Sequence, residues 1–227
     1  MSTLPMSLPP VGRPPASIGR AVLRSLAVAV VAVALTGCIS LFPKTKPAGL
    51  YRFGHVAAES SRPATEKSFG VFKTPTVFNR AAMSDRLLSV TDGEAAYISD
   101  ARWVSPAIVL FDEAVARAFE GDNSRARLVT RGEALKAAMA LRLEVRSFET
   151  VYVDGPKAPP EVLVEIRAVM TRSNDRALLG DQVFVARVKA ADNRLGAIVP
   201  AYDQAVTQVL AEIVTWVSDA GGKLPPG

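Results

Sequence analysis

Hydrophobic and polar residues alternate along three consecutive segments in the second half of the chain. Residues 139–146 place apolar side chains at odd positions, and the phase reverses after Ser147, which predicts a strand with a β-bulge near that residue. Residues 162–170 and 184–188 alternate in the same way. Because short loops join these three strands, the pattern predicts an antiparallel meander with one face towards water.

Two further segments carry apolar residues at helical spacing. The first follows Ser105 and Pro106, a predicted N-cap and first helical residue, and ends at Gly121. Its apolar stripe consists of Ile108, Phe111, Val115, Ala118 and Phe119. The second segment has Pro200 in its first turn or at a kink. Its apolar stripe consists of Tyr202, Val206, Val209, Ile213, Trp216 and Val217.

The first half of the chain has shorter apolar runs, which are typical of strands because Gly, Pro, Asp and Ser bound them. These runs are residues 50–53, 69–72, 87–90 and 95–98. Residues 127–130 return to the sheet after the first helix, which predicts a strand, helix, strand unit with a parallel crossover. The predicted fold class is α+β, with a single mixed β-sheet, an antiparallel meander and two long amphipathic helices packed on the same face.

The N-terminal segment has the pattern of a secretory signal peptide. Residues 26–35 are apolar and follow Arg20 and Arg24. This run is too short for a transmembrane helix, which needs about 20 apolar residues, but it suits the apolar region of a signal peptide. Residues 35–38 (LTGC) resemble the lipobox of bacterial lipoproteins. We therefore predict that residues 1–37 form a signal peptide.

The lipobox resemblance implies cleavage before Cys38, a thioether-linked diacylglycerol on its sulfur and an N-acyl chain, such as palmitate, on its amine. The alternative for this only cysteine is a small buried apolar residue. Two or more acyl chains anchor a protein stably without spanning the membrane. Ile39 and Ser40 replace the Asp that retains enterobacterial lipoproteins at the inner membrane. The expected location is therefore the periplasmic leaflet of the outer membrane.

Composition divides the rest of the chain into three parts. Residues 38–49 form a flexible tether, residues 50–220 one domain large enough for a hydrophobic core, and residues 221–227 a tail. The chain has 27 Lys and Arg against 22 Asp and Glu, but three arginines and no acid belong to residues 1–37. The remainder is almost neutral and has no clustered basic stripe, which argues against nucleic-acid binding.

The usual motifs of catalysis are missing from the sequence. A single Cys and a single His exclude internal disulfides and zinc sites built from several such residues. A soluble hydrolase that uses His55, the single imidazole, is a further alternative, although no Gly-x-Ser-x-Gly motif accompanies it. No glycine-rich phosphate loop occurs. The acidic pairs Asp112/Glu113 and Asp175/Asp181 fit ordinary helix and turn positions. We expect no catalytic residue, no cofactor and no metal, and a role in binding, assembly or tethering.

A series of short motifs follows the lipobox. They are residues 84–88 (SDRLL), 96–99 (AYIS), 101–104 (ARWV), 141–149 (LRLEVRSFE), 201–205 (AYDQA) and 216–217 (WV). Their order and spacing resemble the ABC-type transport auxiliary lipoprotein family of the PqiC/YmbA type, over about residues 50–218.

This resemblance implies a non-enzymatic, periplasm-facing lipoprotein that works with an Mce-type, MlaD-like protein and its ABC permease and ATPase. Such systems move phospholipids or related hydrophobic compounds between the inner and outer membranes. Related lipoproteins assemble into rings, so a homo-oligomer is expected. The alternative is an outer-membrane lipoprotein that binds and activates a cell-wall synthase. A tether limited to residues 38–49 is short for reaching the cell wall, which favours the transport function.

Arg102 and Trp103 are candidate contacts to a protein partner, because Arg and Trp are enriched in binding hot spots. Trp103 has the alternative of closing the edge of the core. Asp85 and Arg86 are expected to form a local ion pair at the start of a strand. The sequence identifies no lipid-contacting residue.

Overall fold

The computed structural model describes residues 48–54, 69–121, 125–130, 133 and 136–221, which all belong to one unit, Pro47–Gly227. Several predictions lie outside the described residues: the signal peptide 1–37, the lipidation of Cys38, most of the tether 38–49, the role of His55 and the tail after residue 221.

Nine strands and two helices are formed by the described residues, and they confirm the predicted α+β class with one mixed sheet. The strands are β1 (Gly49–Tyr51), β2 (Phe69–Lys73), β3 (Val77–Phe78), β4 (Arg86–Thr91), β5 (Glu94–Trp103), β6 (Ala126–Val129), β7 (Ala137–Tyr152), β8 (Glu161–Arg172) and β9 (Leu178–Lys189). The helices are α1 (Ala107–Glu120) and α2 (Leu195–Gly221).

Strand β7, 16 residues long, is the centre of the sheet. One edge of β7 pairs antiparallel with β8, which pairs antiparallel with β9. The opposite edge is shared by three parallel strands in line: β2 at its start, β3 in its middle and β4 at its end. Beyond β4 follow β5 and β1, and beyond β2 follows β6. The predicted meander therefore describes β7 to β9 only, because the rest of the sheet is largely parallel.

The predicted parallel crossover around α1 is wrong. β5 is antiparallel to β4, whereas β4, β7, β2 and β6 all run parallel to one another. β5 and β6 consequently run in opposite directions, with β4, β7 and β2 between them. The parallel neighbours of β7 come from distant parts of the chain, and periodicity within a segment carries no information about such pairing.

The phase reversal in β7 is a β-bulge, as predicted. Val145 pairs with Ile166 and Ser147 pairs with Glu165, so Arg146 is the extra residue. The buried positions of β7 are odd before the bulge and even after it: Met139, Leu141, Leu143, Val145, Phe148 and Thr150. The bulge thus keeps both halves of a long strand packed on one core.

Both helices cover the same face of the sheet, as predicted, and contact each other. α1 begins after Pro106, which occupies the N-cap and not the first helical position, and no side chain caps this helix. Gly121 ends α1 with an extended conformation (φ −60°) rather than the left-handed one common at helix C-termini. α2 starts at Leu195, so Pro200 lies in its second turn and not in its first.

An aromatic cluster joins the sheet to α2. The Trp103 ring lies edge-on to Tyr202 and to Phe53, with centroids 5.1 and 5.0 Å apart. Phe148 of β7 packs 5.0 Å from both Tyr202 and Phe53. All four side chains are buried. Rings of this size dominate the energetics of a core, so the cluster fixes β5 and β7 against α2.

Candidate interaction surface

Of the two predicted partner contacts, Trp103 is a core residue. Its exposed fraction is only 2%, and it makes ring contacts with Phe53, Phe148 and Tyr202. The structure therefore favours the alternative that Trp103 closes the core, and its side chain offers no surface to a partner.

Arg102, the neighbouring candidate, remains accessible. Its side chain is 47% exposed, and its Nη1 donates a 2.8 Å hydrogen bond to Asp85 Oδ2. The predicted ion pair between Asp85 and Arg86 is therefore replaced by one between Asp85 and Arg102. The Arg86 guanidinium lies instead over the Tyr97 ring, 4.0 Å from its centroid.

The 201–205 motif supplies a buried hydrogen bond to the core. The Tyr202 hydroxyl lies 3.1 Å from Thr150 Oγ1 and 3.5 Å from the Leu88 carbonyl oxygen. Burial raises the pKa of this hydroxyl far above its ordinary value. Tyr202 is consequently a neutral structural residue that links α2 to β4 and β7.

Asp203 of the same motif binds the backbone next to β1. Its Oδ1 accepts a 2.6 Å hydrogen bond from the Gly54 amide, and Arg117 Nε donates a 2.9 Å bond to the Gly54 carbonyl. Gly54 has a φ of +70°, and a Cβ there would lie 2.7 Å from Ala114 Cβ. The motif thus clamps Gly54 between the two helices, and its role is structural.

The face of β7, β8 and β9 opposite the helices, called the open face below, carries a ladder of charges. Arg167 binds Asp181 through two hydrogen bonds of 2.8 and 2.6 Å and lies 3.7 Å from Glu144. Arg146, the extra residue of the bulge, lies 3.4 Å from Glu144 and 3.9 Å from Glu165. The bonds from Arg167 lower the pKa of Asp181. Two arginines and three carboxylates therefore interlock across three strands.

Apolar side chains lie beside this ladder. Val183 and Val185 are each 43% exposed, and they stand opposite Arg167 and Glu165 on β8. Burial raises the pKa of the nearby Glu149, although the positive charge of Arg187 opposes this shift. Two exposed valines therefore stand beside a set of fixed charges on the open face.

The outer edge of β9 is a second feature of this region. Among the described residues β9 pairs only with β8, so its other edge, 12 residues long, presents backbone N–H and C=O groups without a strand partner. An edge of this kind is a template for pairing with another chain.

The described residues contain no group of three or more His, Cys, Asp or Glu side chains arranged to hold a metal ion. None of the helices in the described ranges is long and apolar enough to cross a membrane.

The open face was not identified as a site from the sequence. Its signal was present in the charged positions Arg142, Glu144 and Arg146, and in Glu165 and Arg167, which alternate with the core residues. Only the register of β7 to β9 shows that these charges meet, and that β9 has an unpaired edge.

Comparison with protein families gives one match. The profile of a family described as "ABC-type transport auxiliary lipoprotein component" matches residues 53–214, which contain the open face, α1 and most of α2. A search of curated proteins gave no match.

Solved structures share the fold. The crystal structure of a protein from Xanthomonas campestris is 24% identical and superposes with a TM-score of 0.66, covering 78% of this chain and 98% of that one. The crystal structure of an uncharacterized protein is 14% identical with a TM-score of 0.59, covering 76% of this chain and all of the other. These likenesses show the fold alone.

Proposed function

Since the chain belongs to the family of ABC-type transport auxiliary lipoprotein components, we propose that it is a non-enzymatic, lipid-anchored subunit of an ABC transport system of the Mce class. In this proposal the system moves phospholipids or related hydrophobic compounds between the inner and outer membranes. The observation that carries the proposal is the family match over residues 53–214, together with the open face as a surface for a protein partner.

The anchor is Cys38, acylated on its sulfur and on its amine, and the domain faces the periplasm from the inner leaflet of the outer membrane. The lipobox at residues 35–38 and the absence of Asp at position 39 support this location. The acyl chains are structural attachments, and the function requires no other cofactor.

The partner is an Mce-type, MlaD-like protein, and it docks on the open face. Val183 and Val185 supply apolar contacts there, while the ladder around Arg167 supplies charges with fixed positions. Paired charges contribute mainly to the specificity and the rate of association, whereas burial of the valines contributes affinity. Arg102 lies far along the sheet, in β5, and remains a second predicted contact.

The homo-oligomer predicted from the resemblance remains part of the proposal. The unpaired edge of β9 supports it, because a second copy can add a strand there. The alternative partner, a cell-wall synthase, is disfavoured by the short tether of residues 38–49.

Affinity purification of the full lipidated chain after mild cross-linking in the envelope tests the proposal. We expect to recover an Mce-domain protein with the ABC permease and ATPase. A doubly substituted chain, Val183→Asp with Val185→Asp, should lose this recovery. Val153→Asp is the matched control, because Val153 is also exposed (62%) but lies beyond the end of β7. Recovery of cell-wall enzymes without a transporter would support the alternative.

A further inference from the structure

A small exposed surface lies where the chain enters the domain. It consists of Leu50 and Arg52 in and after β1, and of Arg102 and Val104 in and after β5, and is called the anchor-side surface below. Leu50 stands opposite Arg102 in the parallel register, and the Val104 amide donates a 2.8 Å hydrogen bond to the Tyr51 carbonyl, which extends the pairing. All four side chains are exposed.

Alternation explains why apolar side chains point outward here. Tyr51 lies between Leu50 and Arg52, and Trp103 lies between Arg102 and Val104. Tyr51 and Trp103 turn towards the core, so the residues on either side of each turn away from it. Leu50 is 66% exposed and Val104 is 50% exposed. Within the described residues, nothing covers these two side chains, although each is as apolar as a core residue.

The chain between the predicted acylation site and the domain is basic in sequence. Residues 38–58 contain Lys44, Lys46 and Arg52 but no Asp or Glu. Arg52 and Arg102 bind Glu113 and Asp85, yet their side chains remain 46% and 47% exposed. A basic segment beside a lipid anchor is attracted to anionic headgroups.

The length of chain before the domain limits how far this surface can be from the membrane. Nine residues, 39–47, lie between the predicted acylation site and the first described residue, Ala48. Fully extended, the chain from Cys38 to Ala48 spans at most about 35 Å. β1 begins at the next residue, so Leu50 and Arg52 are among the described residues with the shortest length of chain to the predicted acylation site.

We propose that the anchor-side surface rests on the phospholipid headgroups of the membrane that carries the anchor, with Leu50 and Val104 at the headgroup boundary and Arg52 and Arg102 facing anionic lipid. This inference rests on the proposed lipidation of Cys38. The inference would fix the orientation of the sheet relative to the membrane. Four strands, β5, β4, β7 and β8, lie between β1 and β9. At about 4.8 Å per strand, the edge of β9 is held about 24 Å away from β1, free for a partner.

The test uses the full lipidated chain in vesicles of phosphatidylethanolamine and phosphatidylglycerol. Leu50→Cys and Val104→Cys are each labelled with an environment-sensitive nitrobenzoxadiazole dye. Since Cys38 is the only native cysteine and acylation consumes its thiol, the introduced thiol alone takes the label. Leu178→Cys, at a site 64% exposed on β9, is the matched control.

We expect blue-shifted, severalfold brighter emission at positions 50 and 104 on reconstitution, and no change at position 178. Vesicles of phosphatidylcholine alone should reduce the effect, because they lack anionic headgroups. Equal emission at all three positions, or a change at 178 alone, would overturn the inference. If Cys38 is not acylated, the result is different from all of these. The unsubstituted chain would then take the label at Cys38 and stay in the aqueous phase when partitioned with detergent.

Discussion

The hydroxyl pair of Tyr202 and Thr150 is the most direct test of the described core. Tyr202→Phe keeps the ring and its contact with Trp103 but removes one partner of a 3.1 Å hydrogen bond. The fully buried Thr150 hydroxyl is then left without its Tyr202 partner. An unsatisfied buried hydroxyl costs about 1–3 kcal/mol, so we expect the free energy of unfolding to fall by that amount.

A double-mutant cycle separates this bond from general effects on packing. Thr150→Val removes the other partner of the bond, and the double variant removes both. Thr150→Val should therefore lower the free energy of unfolding by about 1 kcal/mol less when Tyr202→Phe is already present than when it is made in the wild type. Urea denaturation followed by tryptophan fluorescence measures all four proteins, since Trp103 lies in the same cluster. Tyr97→Phe is the control: its hydroxyl bonds the Ala81 carbonyl at the surface, and its loss should change stability by about 0.5 kcal/mol or less.

The same hydroxyl predicts a change at alkaline pH. Burial raises the pKa of Tyr202 in the folded state, whereas the unfolded chain titrates near the ordinary value of about 10. Above that pH the unfolded state loses a proton that the folded state keeps, so stability falls by about 1.4 kcal/mol per pH unit. Tyr202→Phe should lack this part of the slope. Full additivity in the cycle would refute the buried bond, and an unchanged alkaline slope would refute the burial of the Tyr202 hydroxyl.

Three further substitutions have expected outcomes. Gly180→Ala places a Cβ 2.6 Å from the Trp216 ring, and should lower the free energy of unfolding by about 1–3 kcal/mol in urea titrations. Gly54→Ala combines a φ of +70° with a close approach to Ala114, so its thermal midpoint should fall below that of the wild type at every pH tested. Burial raises the pKa of Glu149, so ionisation of this carboxyl lowers the stability of the fold as the pH rises through that pKa. Glu149→Gln should therefore be more stable than the wild type at neutral pH and equally stable in acid. Equal stability of the two proteins at both pH values would contradict the shift.

Local patterns in the sequence predicted the local features of the fold. The two helical stripes, the three long alternating strands and the bulge after Val145 are all properties of segments shorter than 30 residues. Pairing between distant segments could not be predicted in this way, because nothing in residues 69–73 indicates that β2 pairs parallel with β7. Strand β3, only two residues long, gives no periodic signal at all.

The same limit applies to the candidate site. An exposed and a buried tryptophan look alike in a sequence, so Trp103 was open to both interpretations until its ring contacts placed it in the core. The Asp85 carboxylate has an arginine on the next residue, yet it binds Arg102 because β4 and β5 are adjacent. The open face likewise depends on register, which alternation within one strand does not determine.

The position of β7 in the chain has a consequence for biosynthesis. β2, β3 and β4 all dock on β7, but residues 69–91 leave the ribosome before residues 137–152 do. Until β7 is made, β2, β3 and β4 have strand edges without their pairing partner, and unpaired strand edges make a chain prone to aggregate. β8 and β9 follow β7 closely and pair with it as soon as they are made. β4 and β5 can pair before β7 is made, but β2, β3 and β4 cannot join one sheet until β7 is present.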